Sequence, residues 1–202
     1  MMKAAIFGTT TLAIAVGLGL YVWQTTNASP DPCGASAVAG SAIGGPFTLV
    51  SETGETVTDK DVITKPTLVY FGYTFCPDVC PLDSARNAQA AYILGEQGID
   101  LGTIFISVDP PRDTIEVVRD FTDNFHDDMI GLTGTPEQVK VASQAYKTYY
   151  RAQDDDPEFY LVDHSTQTYL MFPETGFATF FRRDDSPERV AEISACFIDQ
   201  LN

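Results

Sequence analysis

The sequence predicts an α/β domain with parallel central strands, preceded by a membrane-spanning helix at the amino terminus. Thr67–Tyr73 and Ile99–Val108 are continuous apolar runs rich in β-branched and aromatic residues, which is typical of strands buried on both faces. Pro81–Leu94, between them, has the composition and length of a helix, and the two strands of such a strand-helix-strand unit pair in parallel. The third observation is that no charged residue occurs from position 4 to position 23.

The uncharged segment is long enough to cross a membrane, because a helix rising about 1.5 Å per residue over residues 4–23 covers the ~30 Å hydrocarbon core. Trp23 suits the membrane interface, and Lys3 favours a cytoplasmic amino terminus. The alternative is a cleaved signal peptide, for which Thr26-Asn27-Ala28 offers a weak cleavage site. We expect residues 1–26 to be an uncleaved single-pass anchor. The segment lacks the Arg-rich character of a mitochondrial presequence, which favours a bacterial inner membrane with the soluble domain in the periplasm.

Composition indicates one globular domain after this anchor. Residues 27–45 are rich in Ala, Ser, Gly and Pro, which is typical of a flexible tether, so we expect the domain to span residues 46–202. Hydrophobic residues make up 44% of the chain and charged residues 20%, as in a folded protein. The formal net charge of −16 makes nucleic acid an unfavourable partner.

The remaining elements are predicted from local patterns along the domain. Thr135 is a predicted N-cap because Pro136 follows it at the first position of a helical segment. In chain order we expect a hairpin of Phe47–Val50 and Thr56–Thr58, helices over Thr114–Phe125 and Pro136–Tyr149, strands over Phe159–Val162, Tyr169–Phe172 and Phe177–Phe181, and a last helix over Pro187–Ile198. This order, with a cysteine pair after the first core strand, favours a thioredoxin-like fold.

The strongest chemical signal is Cys76-Pro77-Asp78-Val79-Cys80, which lies between a predicted buried strand and a helix. The free N–H groups and positive dipole end of a helix amino terminus lower the pKa of a nearby thiol and stabilise its thiolate. Three intervening residues keep the two sulfurs close enough to share a metal ion or to form a disulfide. The pair is therefore a candidate for metal binding, for disulfide exchange or for an inert disulfide.

His164 is the leading candidate for a third ligand. Soft thiolates select Cu(I), zinc or iron-sulfur clusters, and two thiolates with one imidazole satisfy a trigonal Cu(I) ion. Structural zinc requires a fourth ligand. His164 follows the strand predicted to end at Val162, so its ring can reach the cysteine loop, and Asp163 is a candidate to orient that ring. We therefore expect a copper ion as the bound group.

Two other polar residues have less specific signals. His126 ends a predicted helix, where a capping or surface role is the usual one for a histidine. Asp109 follows the second core strand, where α/β folds often place functional groups, although aspartate is also a common turn residue. We treat Asp109 as a candidate outer residue of the metal site.

Several motifs together resemble the Sco/SenC family: Phe71–Pro81, Val108–Thr114, Gly131–Gly134, and Asp163–Ser165 with Tyr169–Met171. Their order and spacing extend over nearly the whole domain. The resemblance implies a thioredoxin-fold, membrane-tethered copper chaperone that assists assembly of the binuclear copper centre of cytochrome c oxidase. The partner it implies is the copper-centre subunit of that oxidase.

The resemblance carries the copper-ligand role to Cys76, Cys80 and His164. One departure is Leu82–Asn87, which is more polar than the corresponding helix in many family members. The family resemblance also leaves a second function open, an enzyme that reduces the copper-ligand cysteines of the oxidase subunit through thiol-disulfide exchange at the same two cysteines. Exchange requires only two sulfurs, so the presence of His164 favours copper binding.

A thiol peroxidase on the same fold is a third alternative. Such a site usually has a Thr and an Arg beside its reactive Cys, and here Thr74 is near in sequence but no Arg flanks the motif. The remaining cysteines, Cys33 and Cys196, are predicted to form a disulfide, because compact domains often bring their termini together and the expected compartment is oxidising. Lipidation of Cys33 and a buried free Cys196 are the alternatives.

Overall fold

The structure is a computed structural model that describes residues 33–34, 42–153 and 159–201. The chain divides into two compact units, residues 1–34 and 35–202, and every described helix and strand belongs to the second. The predicted anchor, residues 1–26, lies outside the described residues. Within the described ranges, no helix is long and apolar enough to cross a membrane. The predicted domain boundaries stay a prediction.

A seven-stranded mixed sheet forms the centre of the domain. The three adjacent strands β3 (Thr67–Gly72), β4 (Gly102–Ser107) and β5 (Met129–Thr133) run parallel, and the flanking strands pair antiparallel. A separate two-stranded antiparallel sheet consists of β6 (Tyr150–Ala152) and β7 (Val162–His164). The seven strands, in spatial order, are β2 (Thr56–Thr58), β1 (Thr48–Ser51), β5 (Met129–Thr133), β4 (Gly102–Ser107), β3 (Thr67–Gly72), β8 (Thr168–Phe172) and β9 (Gly176–Phe181), and the small sheet contains β6 (Tyr150–Ala152) and β7 (Val162–His164).

Five helices are described: α1 (Asp59–Val62), α2 (Val79–Gly95), α3 (Ile115–Thr122), α4 (Pro136–Ala145) and α5 (Pro187–Leu201). All residues of β3 and β4 are buried, as their continuous apolar composition predicts. One apolar cluster joins α2 and α5 to β3 and β8 through Leu68, Ala91, Leu170 and Val190. A larger cluster includes residues of α3, α4 and the sheet, so the domain has two packed apolar regions.

The predicted strand-helix-strand unit is confirmed, and so are the amino-terminal hairpin and the cap of α4. Thr135 accepts a hydrogen bond from the backbone N–H of Gln138, whose side chain accepts one from the Thr135 backbone in return. The predicted extent of α4 is wrong at its end. The helix stops at Ala145 because Lys147 adopts a left-handed conformation, with φ of 55°, and the chain then turns into β6.

Three elements differ from the sequence prediction in the second half of the domain. Met129–Thr133 is a strand inside the sheet, although the sequence analysis assigned it none. The strand predicted over Phe159–Val162 begins only at Val162 and continues to His164. Its partner β6 was not predicted, because three residues are too few to produce a periodic pattern.

The polar start of α2 is buried, contrary to its composition. Leu82 is 61% exposed, whereas Asp83 and Arg86 are 3% and 7% exposed. Arg86 forms an ion pair with Asp83 at 3.1 Å. Its guanidinium also donates to the Thr168 hydroxyl at 2.8 Å and to the Arg182 carbonyl at 2.7 Å. Thr168 lies on β8 and Arg182 directly follows β9. These partners satisfy the buried charge of Arg86 and fix the first turns of α2 against the sheet.

Candidate metal centre

The two cysteines lie where β3 passes into α2. The residues 73–80, here called the cysteine loop, place Cys76 before the helix and Cys80 in its first turn. Gly72, the last residue of β3, is what allows Cys80 to pack there: a Cβ at this position would lie 3.0 Å from the Cys80 sulfur and 2.8 Å from the Tyr70 ring. The sulfur of Cys80 is thus held against the end of a central strand.

A buried carboxylate holds the other end of the cysteine loop. Asp113 is fully buried and accepts hydrogen bonds from the Thr74 backbone N–H at 3.1 Å and the Thr74 hydroxyl at 2.6 Å. It also accepts one from the Ser107 hydroxyl, at 2.6 Å, at the end of β4. Burial raises the pKa of Asp113. Sequence reasoning missed this residue, although it lies inside the motif Val108–Thr114.

His164 approaches the cysteines from the opposite side. It ends β7, where it pairs with Tyr150 of β6. Its Nδ1 lies 2.8 Å from the Ser165 carbonyl, which can only accept, so Nδ1 carries the proton. In the neutral imidazole Nε2 is then the nitrogen without a proton, and it lies 3.3 Å from the Cys80 sulfur. That tautomer directs its free lone pair at the cysteines, as a metal ligand requires.

The sulfurs of Cys76 and Cys80 and a ring nitrogen of His164 all lie within 4.8 Å of one another. Both cysteines are buried, with 7% and 0% exposure, and the histidine is half-buried. Among the described residues no other set of three His, Cys, Asp or Glu side chains is gathered in this way. The structure thus brings together the three residues that the sequence selected, whose role as ligands stays a prediction.

The two thiols differ in acidity. A hydrogen bond from the Cys80 thiol lowers the pKa of Cys76, and the backbone N–H groups of Asp78, Cys80 and Val79 lower it further. The Cys80 amide lies 3.4 Å from the Cys76 sulfur. That same thiol-thiol hydrogen bond, together with burial, raises the pKa of Cys80. Cys76 is therefore the residue that reaches the thiolate state first.

Other sequence candidates take different positions. The predicted orienting role of Asp163 is wrong, because its carboxylate accepts from the Gln153 side chain and the Ser165 carbonyl binds the imidazole instead. His126 stacks on Tyr92 with ring centroids 4.2 Å apart, away from the cysteines, which agrees with a surface role. Asp109 binds Arg112 and Tyr160 and is absent from the set of donors.

One arginine lies beside the cysteine loop in space, although none flanks it in sequence. The guanidinium carbon of Arg112 is 5.0 Å from the centroid of the Phe75 ring and 3.6 Å from that of Tyr160. Thr74, the other residue considered for a peroxidase, donates its hydroxyl to Asp113. Only the tertiary structure reveals this arrangement, because Arg112 and Tyr160 are 48 positions apart.

The remaining cysteines are not thiols. Cys33 and Cys196 are each disulfide-bonded, and the free cysteines among the described residues are Cys76 and Cys80. While Cys33 and Cys196 stay disulfide-bonded, their sulfurs cannot compete with Cys76 and Cys80 for a metal ion.

The SCO1/SenC family model matches residues 35–199, which include the whole site. The chain belongs to the SCO1/SenC family. Protein SenC of Rhodobacter capsulatus is 52% identical over 201 residues, covering 98% of this chain and 91% of the relative. The mitochondrial SCO1 homolog 1 of Arabidopsis thaliana is 41% identical over 153 residues, covering 75% of this chain and 46% of the relative.

Solved Sco structures share the fold. The crystal structure of Arabidopsis thaliana ScoI with copper bound has a TM-score of 0.74 at 41% identity and covers 79% of this chain and 99% of that one. Yeast Sco1 with copper bound has a TM-score of 0.71 at 33% identity, covering 80% of this chain and 89% of that one. The family resemblance and the thioredoxin-like α/β fold inferred from the sequence are both confirmed.

Proposed function

We propose that this Sco protein is a copper metallochaperone. It binds one Cu(I) ion through the sulfurs of Cys76 and Cys80 and Nε2 of His164, and passes the ion to the copper-centre subunit of cytochrome c oxidase. The observation that supports the proposal is the convergence of two soft sulfur donors and one imidazole nitrogen from separate parts of the chain within 4.8 Å. Copper bound in the Arabidopsis and yeast relatives agrees with this choice of metal.

The donor set fits a trigonal ion with small adjustments. With metal-sulfur distances of about 2.3 Å and a metal-nitrogen distance of about 2.0 Å, three ligand atoms in a plane lie roughly 3.7 to 4.0 Å apart. The Cys80 sulfur and His164 Nε2, now 3.3 Å apart, would separate by a few tenths of an ångström. No carboxylate of the described residues joins the set, so the fourth ligand that structural zinc requires is absent from it.

The cellular setting belongs to the same proposal. The solved protein BsSco is described as a member of the Sco family of cytochrome c oxidase assembly proteins. We infer that residues 1–26 anchor this chain in a bacterial inner membrane and hold the domain in the periplasm, because residues 4–23 carry no charge. A tether raises the effective concentration of the domain near a membrane-bound oxidase without adding contacts. A variant exported without residues 1–26 is expected to support oxidase assembly poorly.

The direct test is Cu(I) binding by the reduced full chain in detergent without oxygen. We expect one ion per chain, with two sulfur ligands and one nitrogen ligand in the X-ray absorption spectrum. The matched pair of variants is His164→Ala and His126→Ala, which remove the only two histidines of the chain one at a time. The first should lose the nitrogen ligand and most of the affinity, and the second should lose neither. Full affinity in a Cys76→Ser, Cys80→Ser double variant would contradict the proposal.

The second candidate function is thiol-disulfide exchange, which the unequal acidity of the two thiols favours. The Cys76 thiolate would attack a disulfide of the target and release one target thiolate. Cys80 would then lose its proton and attack the Cys76 sulfur, which leaves the target fully reduced and a Cys76–Cys80 disulfide. Reduction of a model disulfide by His164→Ala at the wild-type rate, with copper binding lost, would show that the two functions are separable at this site.

A further inference from the structure

A closed set of contacts lies between the cysteine loop and the segment that carries His164. The Nε of Arg112 donates to the Asp109 carboxylate at 2.5 Å, and one terminal nitrogen donates to the Tyr160 carbonyl at 2.8 Å. The Tyr160 hydroxyl donates to the other Asp109 oxygen at 2.6 Å. Asp109 is 3% exposed, so these charge-assisted hydrogen bonds are largely shielded from water.

The same guanidinium contacts aromatic rings from both sides of the metal centre. Tyr160, four residues before His164, lies 3.6 Å below the guanidinium carbon, measured to its ring centroid. Phe75, the residue before Cys76, lies 5.0 Å away by the same measure. Both distances are within the range of a cation-π contact. Arg112 therefore contacts the two segments that carry the sulfur and nitrogen donors.

The strands that carry His164 lie outside the main sheet. Among the described residues, β6 and β7 pair with each other and share no ladder with the seven-stranded sheet. Val162, the first residue of β7, packs into the main core, and the imidazole of His164 meets the rings of Tyr70 and Tyr73 edge-on, at centroid distances of 6.3 and 5.7 Å. The position of His164 relative to the cysteines thus depends on side-chain contacts, and those of Arg112 join the histidine segment to the cysteine loop.

We propose that Arg112 is a positioning residue that holds His164 at the cysteine pair and so sets the copper affinity of the site. The inference rests on the proposed function and extends it. Lysine cannot replace the arginine, because it lacks the planar fork that donates to Asp109 and Tyr160 while lying flat on a ring. The Cys76–Cys80 disulfide does not involve His164 and should be insensitive to the substitution.

The experiment measures Cu(I) affinity of the reduced full chain in detergent by competition with a chromogenic Cu(I) chelator. Arg112→Lys is expected to weaken binding about 10- to 100-fold, the range found for residues that orient a metal ligand. Its X-ray absorption spectrum should show loss of the nitrogen ligand, while the Cys76–Cys80 reduction potential stays at the wild-type value. The matched control, Arg151→Lys, changes an exposed arginine on β6 and should alter neither quantity.

A double variant distinguishes positioning from general weakening. If Arg112 acts through His164, then Arg112→Lys combined with His164→Ala should bind copper about as well as His164→Ala alone. Fully additive losses, or wild-type affinity in Arg112→Lys beside a weakened His164→Ala, would overturn the inference and leave the proposed function intact. Wild-type affinity in His164→Ala would instead overturn the proposed site.

Should Arg112→Lys fail to fold by its thermal melt, Tyr160→Phe decides the question. This variant removes only the hydroxyl that donates to Asp109 and keeps the ring under the guanidinium. A smaller loss of affinity in the same direction, again absent when His164 is already alanine, supports the inference. Unchanged affinity in Tyr160→Phe would reject it.

Discussion

Asp113→Ala is expected to destabilise the domain and to loosen the cysteine loop. The wild-type carboxylate is fully buried and accepts hydrogen bonds from the Thr74 N–H, the Thr74 hydroxyl and the Ser107 hydroxyl. Removal leaves these donors without this acceptor, and a buried donor that loses its partner costs about 1 to 3 kcal/mol. Because a hydroxyl can rotate to a new acceptor and an N–H cannot, we expect a total loss of about 2 to 4 kcal/mol.

Urea unfolding at neutral pH measures this change in the free energy of unfolding, with Asp120→Ala on the exposed face of α3 as control, expected within about 0.5 kcal/mol of wild type. Hydrogen exchange should be faster at the Thr74 amide. A loss below about 1 kcal/mol with unchanged exchange would refute the reasoning that Asp113 holds the loop.

The stability of the wild type should also depend on pH through Asp113. Since the folded-state pKa of Asp113 is raised, its contribution to the free energy of unfolding is greatest at low pH and declines as pH rises through that pKa. The difference between wild type and variant should therefore be at least as large at pH 5 as at pH 7.

Three further predictions concern the cysteines. Because the pKa of Cys76 is lowered and that of Cys80 is raised, iodoacetamide should alkylate Cys76 first in the reduced, metal-free protein. The rate of alkylation should stay high at pH values below the usual thiol pKa of about 8.5. Mass spectrometry of the peptides identifies the labelled cysteine, and equal labelling of both would contradict the assignment. Gly72→Ala should cost about 1 to 3 kcal/mol in urea unfolding and weaken Cu(I) binding, because its Cβ would press on the Tyr70 and Phe105 rings and the Cys80 sulfur, whereas Gly95→Ala, with open space around its Cβ, should preserve copper affinity. Peptide mapping without reductant should recover Cys33 and Cys196 in one cross-linked pair, and their recovery in other pairs or as alkylated thiols would reject the predicted pairing.

Local patterns in the sequence were sufficient for the central strand-helix-strand unit and for the start of α4. The continuous apolar runs of β3 and β4, the helical segment between them and the Thr135 cap depend on residues within one turn or one strand of each other. The cysteine motif is equally local, since both thiols lie within one loop and helix start. For this reason Cys76 and Cys80 could be selected from spacing alone, and His164 from its chemistry and position after a predicted strand.

What tertiary structure alone decided are the contacts between distant segments. Cys80 and His164 are 84 positions apart in the sequence. The group that orients the imidazole is the backbone carbonyl of Ser165, and a backbone carbonyl is present at every position, so the sequence does not single it out. The same holds for Arg112, which meets Tyr160 only after the chain has folded. The polar residues at the start of α2 are buried, although their composition is typical of an exposed face, because Arg86 donates hydrogen bonds to Thr168 on β8 and to the Arg182 carbonyl just after β9. A charged side chain can be buried where groups from distant segments form hydrogen bonds with it, and a local pattern of residue types does not predict where those groups lie.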